Sequence, residues 1–557
     1  MTPLPGTRRP LARLAAAAAV ATMLLAGCTE GAAPEEDAPA GSEASDSGGA
    51  GDAGGVGDAG GAGEDSADEG PALEETGTSA AVDLPTDPAE DPAYEAYYSQ
   101  QIEWGPCEDV DAEGAECGTI TVPLVWNDPE AGDIEIAVGR LAADGESKGS
   151  LVTNPGGPGG SGVNFLPSAE ILISPEVRAS YDVIGFDPRG VNRSEGIECL
   201  DDSETDEYLA ATGDPAAEDA SALAEEWGAR VAEACEANSG DVLPYLDSYS
   251  AARDMDVLRA ALGDEELDYL GYSYGTYLGA SYAELHPDRV GRFVLDGAID
   301  PDMSMDEFSA GQAEGFEHAT EAFLARCLEA GDACPFRGDE AEAKEQLLSF
   351  FESVDETPLD TGDPERPLTG ALARSAVLTL LYDDAQWEYG REALAAAMNG
   401  DGSQLLYIAD LSSERRYDGT YRTNAAFAIT AVNCLDHPGV ADEQWVEQEA
   451  ERLAEEFPTF GPMLGGDGCA QWPEEPVREP APITAEGAGP ILVVGTTGDP
   501  ATPYAWSEEL ASQLGDATLL TYEGEGHTAY GRSGGCIEEQ VDAYLLEGTV
   551  PEDGLRC

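Results

Sequence analysis

Apolar and polar positions change rhythm several times along the chain. From about residue 95, short apolar runs alternate with amphipathic stretches of helical period. Thr119–Trp126, Ile134–Leu141, Leu151–Thr153, Tyr181–Phe186, Leu267–Leu270, Arg292–Leu295, Ile491–Val494 and Ala517–Tyr522 read as strands. Ser250–Leu262, Thr276–Leu285 and Tyr504–Leu514 read as helices. Strands alternating with helices predict a mostly parallel sheet with helices on both faces. Residues 301–485 interrupt that series with Ala/Glu/Leu-rich sequence of helical period and little strand signal. They are expected to form a large helical cap inserted between a first core segment, 93–300, and a second, 486–557. No internal repeat is visible.

Residues 29–92 contain Gly, Ala, Asp, Glu, Pro and Ser with almost nothing to bury. Such a segment cannot offset its chain entropy and is expected to be a disordered, self-repelling tether. Before it, Arg8, Arg9 and Arg13 precede the apolar run Leu14–Leu25, which is too short for an ordinary membrane span. Leu25-Ala26-Gly27-Cys28 resembles the bacterial lipobox, in which the cysteine is diacylated and becomes the new N-terminus. Residues 1–28 are therefore expected to be a lipoprotein signal and Cys28 its lipidation site. Thr7-Arg8-Arg9-Pro10-Leu11 also resembles a twin-arginine signal, so the export route stays open. The expected location is the outer face of the cytoplasmic membrane, or free secretion.

Charge narrows the choice of partners. The chain has 26 Lys+Arg against 112 Asp+Glu, a net charge of −86. The first 92 residues hold three arginines and 18 acids, which leaves −71 on residues 93–557. No basic stripe exists to neutralise a phosphate backbone, so nucleic acid is excluded, and docking on an anionic membrane is disfavoured. Membrane contact is expected only through the lipid. Adaptation to a salty exterior and plain compositional bias account for the acids equally well. Eleven cysteines are present, and setting Cys28 aside leaves ten. In an oxidising compartment these predict five disulfides, with sequence neighbours the simplest pairing. No CxxC or Cys/His cluster has zinc spacing, so neither a metal nor a cofactor is expected.

Three G-x-S-x-G patterns occur, around Ser147, Ser273 and Ser533. Only Ser273 lies between an apolar strand and an amphipathic helix, the context in which a tight turn presents a nucleophilic hydroxyl. A serine needs a base. Of His286, His318, His437 and His527, only His527 sits on a glycine-rich loop just after a predicted strand, where an open α/β sheet gathers its functional groups. Asp499, after Ile491–Val494, is the preferred orienting acid, and Asp296, ending Arg292–Leu295, is its competitor. The order Ser273, Asp499, His527 is that of the α/β-hydrolases. A tetrahedral oxyanion requires donors, expected from the Tyr274 N–H and from the loop Asn154–Gly160, with Gly157 preferred over Gly156. That loop lacks the Lys-Ser/Thr of a phosphate cradle.

Asn154-Pro155-Gly156-Gly157-Pro158-Gly159, Gly185-Phe186-Asp187-Pro188-Arg189-Gly190, Gly271-Tyr272-Ser273-Tyr274-Gly275-Thr276 and Gly498-Asp499-Pro500-Ala501-Thr502-Pro503 stand in order. Together they resemble secreted actinobacterial tripeptidyl aminopeptidases and the related proline-iminopeptidase-like serine hydrolases, over roughly residues 95–557. The resemblance implies an α/β-hydrolase fold with a helical cap, and Ser273, Asp499 and His527 as catalytic residues. It further implies release of short peptides, tripeptides foremost, from free N-termini through an acyl-enzyme. Proline iminopeptidases have a histidine before the oxyanion glycines, where this chain has Asn154-Pro155, which favours the tripeptidyl branch. A carboxylesterase of the same fold is the alternative, and a non-catalytic peptide-binding lipoprotein a distant one. An aminopeptidase must bind the substrate ammonium, and Asp436, Glu314 and Glu317 in the cap are the acids considered for it.

Overall fold

The structure, a computed structural model, describes residues 87–211, 220–439 and 443–557. The signal segment, Cys28 and most of the acidic tether lie outside the described residues. The described residues include 87–92, which the sequence reading places in the tether. Asp87 caps the turn Pro88–Glu90 and its carboxylate pairs with Arg289 at 2.5 Å. Burial of Pro88 and the Asp87–Arg289 ion pair tie these residues to the folded body.

The strands are Gly105–Pro106 (β1), Glu116–Pro123 (β2), Asp133–Leu141 (β3), Ser150–Asn154 (β4), Asp182–Phe186 (β5), Leu267–Tyr272 (β6), Val290–Asp296 (β7), Ile491–Gly498 (β8), Ala517–Glu525 (β9) and Leu555–Arg556 (β10). They form one sheet in the order β1-β2-β3-β5-β4-β6-β7-β8-β9-β10. β1, β2 and β3 run antiparallel to their neighbours up to β5, and every later pairing is parallel. β4, β5, β6 and the first residues of β8 are buried almost throughout, as strands covered on both faces must be. Leu151, Leu270, Val294, Leu492 and Leu520 meet Phe165, Leu166, Val541 and Tyr544 from the helices Gly162–Leu172 and Cys536–Glu547. The residues between them face the other side, where Tyr269 and Leu295 pack closely under Gly279 of the helix Tyr274–Leu285.

Register decides where the chemistry gathers. Asn154 pairs with Gly271, Gly271 with Leu295, and Leu295 with Val493. The carboxyl ends of β4, β6 and β7 therefore stop within one residue of level, β8 runs four residues further to Gly498, and the loops that leave these strands share one rim.

Between β7 and β8 the chain builds the cap from the helices Met305–Glu329, Glu340–Glu356, Gly370–Leu381, Trp387–Ala397, Ser403–Ser412, Ala425–Asp436, Glu443–Glu456 and Gly461–Leu464. Capping boxes at Ser304/Glu307 and Asp339/Glu342 start the first two. The cap buries an apolar cluster of its own around Phe316, Phe323, Leu347, Phe351, Val377 and Leu394. A second helical segment, Asp202–Ala211 and Ala220–Ser239, lies between β5 and β6 and was not foreseen. The first of these two helices has a weak apolar stripe; Leu209 and Ala210 pack on the cap cluster, and Asp206 accepts from Arg415 at 2.6 and 2.7 Å and from the Tyr421 hydroxyl at 2.8 Å. The ten cysteines pair as sequence neighbours, Cys107–Cys117, Cys199–Cys235, Cys327–Cys334, Cys434–Cys469 and Cys536–Cys557.

Candidate active site

β6 ends at Tyr272 and the next helix begins at Tyr274, so one residue must turn the chain. That residue, Ser273, has φ 56° and ψ −126°. A non-glycine residue held at positive φ is strained, and such strain persists only where the surroundings over-determine it. Its N–H donates to the Asp296 carbonyl at 2.9 Å, and its own carbonyl accepts from Thr276 N–H and Oγ at 2.8 and 2.6 Å. The loop after β4 presses on the same point. Gly156 has φ 100°, and a Cβ there would lie 2.9 Å from Ser273 Cβ and 2.7 Å from the Tyr272 carbonyl oxygen. Only glycine allows this approach, which brings the loop backbone alongside the Tyr274 N–H. The Gly156 N–H itself is committed to Asn154 Oδ1 at 2.9 Å. Ser147 and Ser533 have no such setting: their hydroxyls bond the carbonyls of Gly149 and Ala529.

Asp499 and His527 face each other from the ends of β8 and β9. His527 Nδ1 is 2.8 and 3.0 Å from the two Asp499 oxygens, and both side chains are buried. A carboxylate only accepts, so the ring proton sits on Nδ1 and the Nε2 lone pair is left free. Asp499 also accepts from the N–H groups of Ala501, Thr502 and Thr528 at 3.0, 2.9 and 3.1 Å, and from the Thr502 hydroxyl at 3.1 Å. Gly297, next after the residue that accepts the Ser273 N–H, brings the pieces together. A Cβ on Gly297 would lie 3.3 Å from His527 Cε1, so Ser273 and His527 flank one glycine. The cap supports the histidine: its N–H donates to the Tyr382 carbonyl at 2.7 Å, and the Tyr382 ring stands edge-on to it at 5.3 Å.

Asp296, the competing acid, has different work. It is fully buried and accepts from the N–H groups of Ala529 at 3.0 Å and Tyr530 at 2.7 Å, two and three residues past His527. Burial pushes its carboxyl up to about 7, with the charge of Asp499 adding to the effect. Of the other histidines, His286 is buried against Tyr282, and His318 is exposed on the first cap helix. His437 lies near Tyr277, and burial, then Arg478, lowers it to about 4.

The three cap acids separate cleanly. Asp436 is 1% exposed and both its oxygens are taken by Ser248. Glu317 is 3% exposed, paired with Lys344 at 2.6 Å and accepting from Thr459 N–H at 3.0 Å. Both are occupied within the protein, so the expectation that either meets a substrate amine does not fit this structure. Glu314 is exposed on the helix Met305–Glu329, beside Gly315, whose backbone packs on Pro500. Thr502 and Tyr382 escaped the sequence reading. The spacing Asp499–Thr502 was a usable signal, since an aspartate at a strand end often binds N–H groups two and three residues on. Nothing in the sequence pointed to Tyr382.

An elbow serine, a histidine bound to a buried carboxylate, and a glycine loop beside the residue after the serine define a serine hydrolase of the α/β-hydrolase fold. Comparison with known proteins agrees. The family model described as TAP-like protein matches residues 458–557. The serine protease Hip1 of Mycobacterium tuberculosis is 36% identical over 477 residues, 82% of this chain and 91% of that protein. Carboxylesterase B of the same species is 37% identical over 474 residues, 82% and 90% of the two chains. The tripeptidyl aminopeptidase of Streptomyces coelicolor is 33% identical over 462 residues, 79% and 83%. The chain belongs to this tripeptidyl-aminopeptidase-like family of α/β-hydrolase serine hydrolases.

Proposed function

We propose that the protein is an exported serine aminopeptidase that releases short peptides, chiefly tripeptides, from free N-termini. The observation that carries the catalytic part is the Asp499–His527 pair set beside the Ser273 elbow. His527 Nε2 takes the Ser273 proton as Oγ attacks the scissile carbonyl carbon. The tetrahedral oxyanion is received by the N–H of Tyr274 and that of Gly157, because the Gly156 N–H is spent on Asn154. His527 then passes the proton to the leaving amine, and water repeats the sequence on the acyl-enzyme. Asp499 keeps the proton on Nδ1 and stabilises the imidazolium.

The peptidase reading is supported by the similarity to a tripeptidyl aminopeptidase and to a serine protease. A cap over the strand ends suits an exopeptidase, since it limits how much chain extends beyond the scissile bond. Glu314 is the acid we assign to the substrate ammonium, as a solvent-exposed carboxylate next to Gly315, where the helix packs against Pro500. The similarity to a carboxylesterase favours one alternative, hydrolysis of esters by the same serine. Cys28 is read as a lipid attachment site on the outer face of the cytoplasmic membrane, with peptides as the partners there.

One experiment separates these readings. A tripeptide chromogenic amide is compared with its N-acetylated form and with a p-nitrophenyl ester, for wild type and Ser273→Ala. Exopeptidase action predicts a loss of about a hundredfold on acetylation, roughly 3 kcal/mol. It also predicts no turnover or fluorophosphonate labelling in Ser273→Ala. Equal cleavage of both amides would mean an endopeptidase, and ester turnover without amide cleavage would mean an esterase.

A further inference from the structure

One cap helix, Ala425–Asp436, touches both sides of the oxyanion site. Near its start it lies against the loop after β4. A Cβ on Gly159 would come within 3.0 Å of Ala428 Cβ, and within 3.2 Å of both the Ala425 carbonyl oxygen and the Ile429 nitrogen. At its end, Asp436 accepts the Ser248 N–H on Oδ1 at 3.0 Å and the Ser248 hydroxyl on Oδ2 at 2.5 Å. The Ser248 hydroxyl is in turn hydrogen-bonded to the Tyr274 hydroxyl. When Asp436 is ionised the polarity of this chain is set. Tyr274 O–H donates to Ser248 Oγ, and Ser248 O–H donates to Asp436. Ser248, Tyr274 and Asp436 are all buried, so the chain runs in a medium where a lost partner is costly.

The helix is itself pinned. Asn424, just before it, donates to the carbonyls of Gly190 and Ile197 at 2.8 and 3.1 Å and accepts from Asn192 N–H at 2.9 Å. At the other end Cys434 is bonded to Cys469, and the Val477 N–H donates to the Leu435 carbonyl at 2.8 Å. Donors that serve a transition state must be held within about half an ångström of their working position, which requires support behind them.

We propose that the cap helix 425–436 sets the geometry of the oxyanion hole, with Asp436 a positioning residue that acts through Ser248 on Tyr274. The cap thereby governs how fast bound substrate reacts, and not only which substrate enters. This rests on the assignment of Ser273 as nucleophile and Tyr274 as oxyanion donor.

The test is steady-state kinetics on the tripeptide amide for Asp436→Ala, Tyr274→Phe, the double variant and Asp436→Asn. Active enzyme is counted by fluorophosphonate titration, so that unfolded protein is not scored. Each of the first two is expected to lower kcat by about 10- to 100-fold, less than outright loss of an oxyanion donor, with KM changed by less than about threefold. Because both act along one chain, the double variant is expected to fall no more than about threefold below the worse single. Asp436→Asn keeps an amide oxygen that can accept from the Ser248 N–H and hydroxyl, which preserves the direction of the chain, so it should regain about tenfold of the loss. Unchanged kcat in both singles, losses that multiply in the double, or kcat and KM moving together would each overturn the proposal. Should Asp436→Ala fail to fold, Tyr274→Phe decides, since it leaves the Asp436–Ser248 pair intact. Absence of fluorophosphonate labelling at Ser273 in wild type would instead overturn the catalytic assignment.

Discussion

The ends of β7 and β8 are neighbours in the sheet, and each carries a buried aspartate. Asp499, at β8, gathers five donors: three backbone N–H groups, the Thr502 hydroxyl and the His527 ring. Asp296, at β7, gathers two backbone N–H groups, from Ala529 and Tyr530. One carboxylate orients a side chain, and the other orients the backbone that carries it. The difference is one of solvation by the protein. Donors substitute for the water a buried charge has lost, and with few of them burial dominates and the proton is held more tightly.

The sharpest test of that division is substitution of each acid. Asp499→Asn should cut kcat/KM by about ten-thousandfold, because an amide no longer holds the proton on Nδ1 of His527. Asp296→Asn, which touches only backbone, should cost less than about tenfold. Equal losses on the tripeptide amide would erase the distinction. Next in size is Thr502→Val. It removes a hydroxyl 3.1 Å from Asp499 Oδ2 and 3.3 Å from His527 Nδ1. A charge-assisted hydrogen bond of about 1.5 to 3 kcal/mol predicts a fall of about 10- to 100-fold in kcat, and no change would remove Thr502 from the group.

The smallest effect concerns stability and pH. A folded-state value near 7 lies above the ordinary carboxyl value of about 4, so between those limits the folded chain binds the proton more tightly than the unfolded one. The stability from that proton is full below about pH 4 and is lost as pH rises through about 7. Asparagine cannot titrate. The melting temperature of wild type minus that of Asp296→Asn should therefore fall between pH 5 and pH 8, with Asp436 and Asp383, also raised, common to both proteins. A constant difference would mean that Asp296 stays ionised throughout.

How far the sequence showed the site depended on what surrounds each residue locally. Ser273 was legible because its strand, turn and helix are contiguous in the chain, and His527 because a glycine-rich loop follows a strand. Asp499 against Asp296 was less so: both end strands, and only the folded register shows which one reaches the imidazole. The core strands announced themselves as apolar runs, whereas Asp202–Ala211 did not, because its few apolar residues and the acid Asp206 meet the cap without a regular stripe. Asp436 was singled out for a different duty, since an acid in a helical insertion looks the same whether it faces a pocket or a serine 188 residues away. That distinction exists only in three dimensions.

β7 and β8 are adjacent in the sheet, yet roughly 195 residues of cap separate them in the chain. While those residues are made, about a third of the chain, the strand Val290–Asp296 has only one neighbour, and its other side is an apolar edge with unmatched N–H and C=O groups. It finds its partner only when the final seventy or so residues arrive, and the same event delivers Asp499 and His527. A chain released early would carry the elbow serine without its base and would present a sticky strand to its neighbours. Completion of the sheet and acquisition of chemistry are in this protein one step, so an unfinished molecule is inert as a hydrolase and exposed to aggregation at the same time.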